Sequence, residues 1–80
     1  MPKLKALSAK DTVKILRSFD FEIAGPKGSH IKLRRALNNI KQTLTTPNHL
    51  EMDKGTLKAI FNQASKYISE SELKEHFYQE

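Results

Sequence analysis

From His30 to Arg34 the chain reads His-Ile-Lys-Leu-Arg, and strict alternation of polar and apolar residues is the signature of an extended strand whose successive side chains leave by opposite faces. Ile31 and Leu33 then share a face that must be covered, while His30, Lys32 and Arg34 form a row in water. Such a strand is not stable alone. It needs neighbouring strands and an apolar cover, which restricts the chain to a sheet with something packed on one side. The polar row sets an imidazole, the side chain suited to proton transfer near neutral pH, beside two fixed cations. That makes it the candidate site. The same alternation also fits a half-buried strand whose solvated face carries no chemistry.

The neighbours and the cover are both legible. Ser8 followed by Asp11 is a capping-box-like start, so a first helix is expected to about Phe19, burying Val13, Leu16, Ile15 and Phe19 and exposing Lys10, Lys14 and Arg17. Asp20 ends it. Phe21 to Ala24 alternate as a first strand that stops at Gly25-Pro26-Lys27-Gly28, a turn rich in residues of unusual backbone freedom. The second strand is Gly28 to Arg35. Asn38-Asn39 suits a hairpin loop, although Leu37 and Ile40 could also extend the strands on either side. Thr-rich Gln42 to Thr46 forms the third strand, ended by Pro47. Leu57, Ile60, Phe61 and Ala64 fall at i, i+3, i+4 and i+7, the stripe of a helix that covers the sheet, with Asp53 near its start. Ser69 and Glu72 form another capping pair, flanked by Ile68 and Leu73, so a short third helix is expected from about Glu70 to Tyr78. The fold class is therefore α+β, in the order α-β-β-β-α with a short C-terminal helix. A three-stranded antiparallel meander carries helices on one face.

Length and composition exclude several classes. Eighty residues are read as one domain, 1–80, small enough to bury only about 60 to 65% of the surface of the unfolded chain, so a deep cofactor cavity is not expected. There is no cysteine, no apolar run of membrane-spanning length, and no apolar signal-peptide core after Met1-Pro2-Lys3-Leu4-Lys5. A cytoplasmic protein with no membrane partner is the expectation. The net charge is +5, and its placement matters more than its size. Between Ile23 and Leu50 lie five cations, Lys27, Lys32, Arg34, Arg35 and Lys41, and no acid, whereas the remaining nine Lys and Arg are balanced by nine Asp and Glu. Positive charge gathered on one surface is the electrostatic footprint of a nucleic-acid binder; an anionic lipid surface or no specific partner also accommodates it.

At a larger scale the motifs form a combination. Ala6-Leu7-Ser8-Ala9-Lys10 with Val13 to Leu16, then Phe21-Glu22, Lys27-Gly28-Ser29-His30, the Thr-Pro-Asn-His turn at Thr46 to His49, and Lys54-Gly55-Thr56-Leu57 with Ile60 and Gln63-Ala64 together resemble the HicA, or YcfA-like, toxins over nearly the whole chain. The resemblance implies a fold like the double-stranded-RNA-binding domain. It further implies messenger-RNA cleavage within a type II toxin-antitoxin pair, with a HicB-like antitoxin as partner. In that family the catalytic residue is the His of Gly-Ser-His, here His30. The chain departs from the family between Arg35 and Lys41, where Asn-Asn stands in place of a short turn containing Gly or Asp.

The chemistry of the row agrees with this expectation. RNA carries its own nucleophile in the 2′-hydroxyl, so cleavage needs a base for that proton and cations for the charge that develops on the phosphate. His30 is the candidate base. Lys27, Gly28, Ser29, Lys32, Arg34 and Arg35 are the candidate RNA-phosphate ligands, and Ser29 could orient the imidazole. His49, after Pro47, is a candidate general acid or simply a turn residue. His30 and His49 are not expected to hold a metal, because no Asp or Glu lies between them in a cationic region. His76, among glutamates, is expected to be solvated. The reading from a different class is an RNA-binding module of the same fold that grips phosphates without cutting, in which His30 has no task.

Overall fold

A computed structural model describes residues 3–25 and 28–79, so Lys27, one of the candidate phosphate ligands, lies outside the described residues. The elements run β1 (Lys3–Leu4), α1 (Ala9–Arg17), β2 (Glu22–Ile23), β3 (His30–Leu37), β4 (Ile40–Pro47), α2 (Lys54–Ala64), α3 (Glu70–Phe77) and β5 (Tyr78–Gln79). Strands β2, β3 and β4 form the expected antiparallel meander, with β3 in the centre. A second, unforeseen ribbon pairs β1 with β5 and so joins the two ends of the described chain.

Each boundary has a local cause. The capping box at α1 is complete: the Asp11 N–H donates to Ser8 Oγ at 3.1 Å and the Ser8 N–H to the Asp11 carboxylate at 3.0 Å. The helix stops at Arg17, two residues short of the expectation. Asp20 adopts φ +73° and the Phe21 N–H donates to the Leu16 carbonyl, closing a corner. Phe21 is consumed by that corner, which shortens β2 from the expected four residues to Glu22–Ile23. Asn38 and Asn39, at φ +53° and +65°, form a two-residue turn with both centres left-handed, the type I′ geometry that matches strand twist. The expected hairpin is formed, and Leu37 and Ile40 pair directly across its turn, prolonging both strands.

The covered face is the one the alternation specifies. Ile31 and Leu33 lie opposite Thr46 and Leu44, and all four are buried. Ile31, Leu33 and Leu44 join Val13 and Leu16 of α1, Phe21, and Leu57, Ile60, Phe61 and Ala64 of α2 in one core cluster. Burying a side chain of this size is worth about 1.5–3 kcal/mol. Helix α3 completes the cluster with Leu73 and Phe77; the Phe77 ring stands edge-on to Phe61 at 5.6 Å, and Tyr78 does the same at 5.3 Å. His76, expected in water, is half-buried with its ring edge-on to Phe19 at 5.4 Å, because α3 lays that flank against the end of α1. Beyond the helical cover the β3–β4 hairpin continues as bare ribbon, leaving Leu37 and Ile40 50% and 63% exposed. No helix among the described residues is long and apolar enough to cross a membrane.

Candidate active site

His30 opens β3, and its position is set from two sides. The strand register places it opposite Pro47 and on the same face as Lys32, opposite Thr45, and Arg34, opposite Thr43. The preceding residues are clamped by the Thr-Pro-Asn-His turn: the Asn48 N–H donates to the Ser29 carbonyl at 2.9 Å, and Asn48 Nδ2 donates to the Gly28 carbonyl at 3.0 Å. Asn48 thus explains the value of that turn more directly than the histidine beside it. Ser29 Oγ lies 3.2 Å from His30 Nδ1, leaving Nε2 directed elsewhere. All of His30, Lys32 and Arg34 are exposed.

The face is cationic but not purely so. Glu22 of β2 is in register with Arg34 and also sits 3.8 Å from Arg17 of α1. Both partners of that ion pair are well exposed, so its energetic value is small. Among the described residues no group of three or more His, Asp or Glu converges on a point that could hold a metal ion.

One candidate, Arg35, is not brought to this face. Arg35 is an odd member of the alternation and so points to the covered side. Its NH1 donates to the Phe19 carbonyl at 2.8 Å, its NH2 to the Tyr67 carbonyl at 2.9 Å and its Nε to Gln42 Oε1 at 2.6 Å, while the guanidinium carbon sits 4.8 Å over the Phe21 ring. It joins the sheet to the corner after α1 and to the connection after α2, which is a structural task. His49 follows Asn48 in the clamping turn. Its carbonyl accepts the Ala9 N–H at 2.9 Å and seats the start of α1. Its imidazole is near Asp53, whose carboxyl is held below the usual carboxylate range chiefly by the Thr56 N–H, with the Thr56 hydroxyl and His49 adding to it.

The sequence row also hid a groove. Beside His30 an open depression of about 300 Å³ is lined by Thr45 and Pro47 of β4 and by Thr56, Ala59, Ile60 and Gln63 of α2. Residues 56, 59, 60 and 63 follow helical spacing, so one flank of α2 builds the groove while its other flank fills the core. Gln63 Oε1 accepts the N–H of Thr45 at 3.0 Å, a donor on the free edge of the outer strand β4. A sequence pattern carries the helical spacing but not which strand edge the helix will meet.

What the arrangement can do chemically is hold a polyanion against an exposed imidazole whose second nitrogen has no partner among the described residues. No curated protein and no solved structure matches the chain. A family model, described as the HicA toxin of bacterial toxin-antitoxin, matches residues 9–65, a span that runs from the first residue of α1 to the residue capping α2 and contains His30, the cationic row and the whole groove. The chain belongs to the HicA toxin family, and is the toxin of a toxin-antitoxin system.

Proposed function

We propose that this toxin acts by cutting messenger RNA, with His30 as the general base and Lys32 and Arg34 as phosphate ligands. The observation that carries the reading is the single exposed face on which an imidazole and two cations project from alternate residues of one strand. In the tautomer that carries its proton on Nδ1, His30 donates to Ser29 Oγ, 3.2 Å away, and Nε2 presents its lone pair to substrate. It takes the proton of an RNA 2′-hydroxyl; O2′ attacks the adjacent phosphorus, the P–O5′ bond breaks, and the departing 5′-oxygen is protonated by water. The products are a 2′,3′-cyclic phosphate and a 5′-hydroxyl. Lys32 and Arg34 offset the charge that grows on the phosphate oxygens. Lys27 joins this ligand set on the strength of its place in the Lys-Gly-Ser-His motif. His49 is assigned no step in this scheme.

The matching antitoxin is HicB-like and silences the toxin by laying acidic residues over this face, so it competes with RNA for the same cations. The test uses chain freed of its partner, incubated with long single-stranded RNA in EDTA. Wild type should cleave, and His30→Ala should lose at least about 10²-fold in rate, the contribution of a placed general base, while retaining RNA. If neither protein cleaves and both retain RNA in a salt-sensitive way, the chain is a binding module and the reading fails.

A further inference from the structure

The groove beside His30 is polarised in its hydrogen bonding. Thr45 lies on the outer edge of β4, so its N–H has no strand partner on that side, and Gln63 Oε1 satisfies it at 3.0 Å. Only the oxygen of a carboxamide can accept that bond, so the backbone settles which way the Gln63 amide is turned. Among the described residues the nitrogen meets no acceptor, so its two N–H donors remain available on a side chain that lines the groove. Pro47, Ala59 and Ile60 supply apolar wall, Thr56 a hydroxyl, and no acidic side chain lines the space.

We infer that this groove seats one unpaired RNA base next to the scissile phosphate, and that Gln63 is a specificity-determining residue selecting keto bases, guanine and uracil. The inference rests on the ribonuclease reading for the identity of the ligand and deepens it. Three observations support it. His30 lines the same groove, so a nucleotide that offers its 2′-hydroxyl to His30 has its base within reach. A space of about 300 Å³ admits a single base against Pro47 and Ala59 but not a duplex, so the base must be splayed from its strand, as single-stranded recognition requires. Finally, the donor-only end matches carbonyl acceptors. Guanine offers O6 and N7 side by side and uracil offers O4, whereas adenine and cytosine place an exocyclic amino donor beside their ring acceptors, so an amide N–H meets a donor there. Lys32, paired with Thr45 across the strands, is placed to hold the phosphate beside that base.

The experiment uses the whole chain and 2′-deoxy hexanucleotides, which lack the nucleophile and cannot be cut, differing only in one central base. Binding is read from the Gln63 side-chain amide resonances and from titration. Guanine and uracil should bind about tenfold more tightly than adenine and cytosine, the scale of one discriminating base contact. Gln63→Glu keeps an oxygen for the Thr45 N–H and replaces the donors by an acceptor, so it should invert that order. Ala59→Leu fills the wall without touching Gln63 and should weaken all four alike. Equal or undetectable binding of the four by wild type, or an unchanged order in Gln63→Glu, overturns the inference. Because the ligands cannot be cleaved, the two claims fail separately: a chain that binds in this order but cuts no RNA refutes the ribonuclease reading alone, and one that cuts RNA but binds all four alike refutes only the base groove.

Discussion

Two neighbouring arginines show how one residue step changes a side chain's task. Arg34 and Arg35 are the same chemical group, yet Arg34 faces water in register with Glu22 and Arg35 donates to two backbone carbonyls and a glutamine while lying over Phe21. Arg35→Met should therefore cost about 2 kcal/mol, since charge-assisted bonds to otherwise unmatched acceptors are lost. In a chain of this size that lowers Tm by roughly 10 °C, readable by calorimetry. Arg35→Lys should recover little, because an ammonium cannot span three acceptors that a planar fork reaches. Arg34→Met should leave stability within about 0.5 kcal/mol but reduce the salt slope of RNA retention by about 0.7, as removal of one contact to a single strand does. A reversed pattern would exchange the two assignments. The alternation assigns opposite faces to the two residues, but a charge count along the chain does not, which is why Arg35 reads as a phosphate ligand until its partners are in place.

At the scale of elements, the β3–β4 hairpin carries the site and is the best-specified part of the chain. Its register follows from the two-residue turn, and a slip by one would turn His30 and Lys32 inward and Ile31 and Leu33 into water. Asn39 at φ +65° pays for that turn with a left-handed backbone. Asn39→Gly should be neutral or slightly stabilising, whereas Asn39→Ala should lose about 1 kcal/mol in urea unfolding. Equal stability of the two would mean that the strands, not the turn, set the register. Ile40, at the uncovered tip, should tolerate Thr within about 0.5 kcal/mol, while Leu44→Ala in the covered part should cost about 3 kcal/mol. Helix α2 has two faces in use: Leu57, Phe61 and Ala64 are read from periodicity as core, and Thr56, Ala59 and Gln63 emerge as groove only once α2 runs beside the free edge of β4.

For the whole molecule, stability in acid is tied to two helix caps. Asp11 is held below its ordinary value of 3.8 chiefly by the Ser8 N–H, and Asp53 below the same value chiefly by the Thr56 N–H. A carboxylate that is more acidic in the native state than in the unfolded chain adds stability above its unfolded value and loses it as pH falls through the lower native one. Urea midpoints should therefore be flat from neutral pH down to about pH 4.5 and decline below it, and Asp11→Asn with Asp53→Asn should lower the plateau and flatten the decline. An unchanged acid limb in the double variant would place the effect in other carboxylates. The sequence by itself determined the period-two strand, the two helical stripes, the caps at Ser8 and Ser69, the helix start near Asp53, the Asn-Asn turn and the exposed row of His30, Lys32 and Arg34, because each depends on residues within one turn or one strand of each other. Only the tertiary structure decided the inward tether of Arg35, the packing of His76 on Phe19, the terminal ribbon and the groove that Gln63 closes. Those depend on contacts between residues far apart in the chain, such as Thr45 with Gln63 or Lys3 with Gln79, and no local pattern records which distant edge a helix or strand will meet.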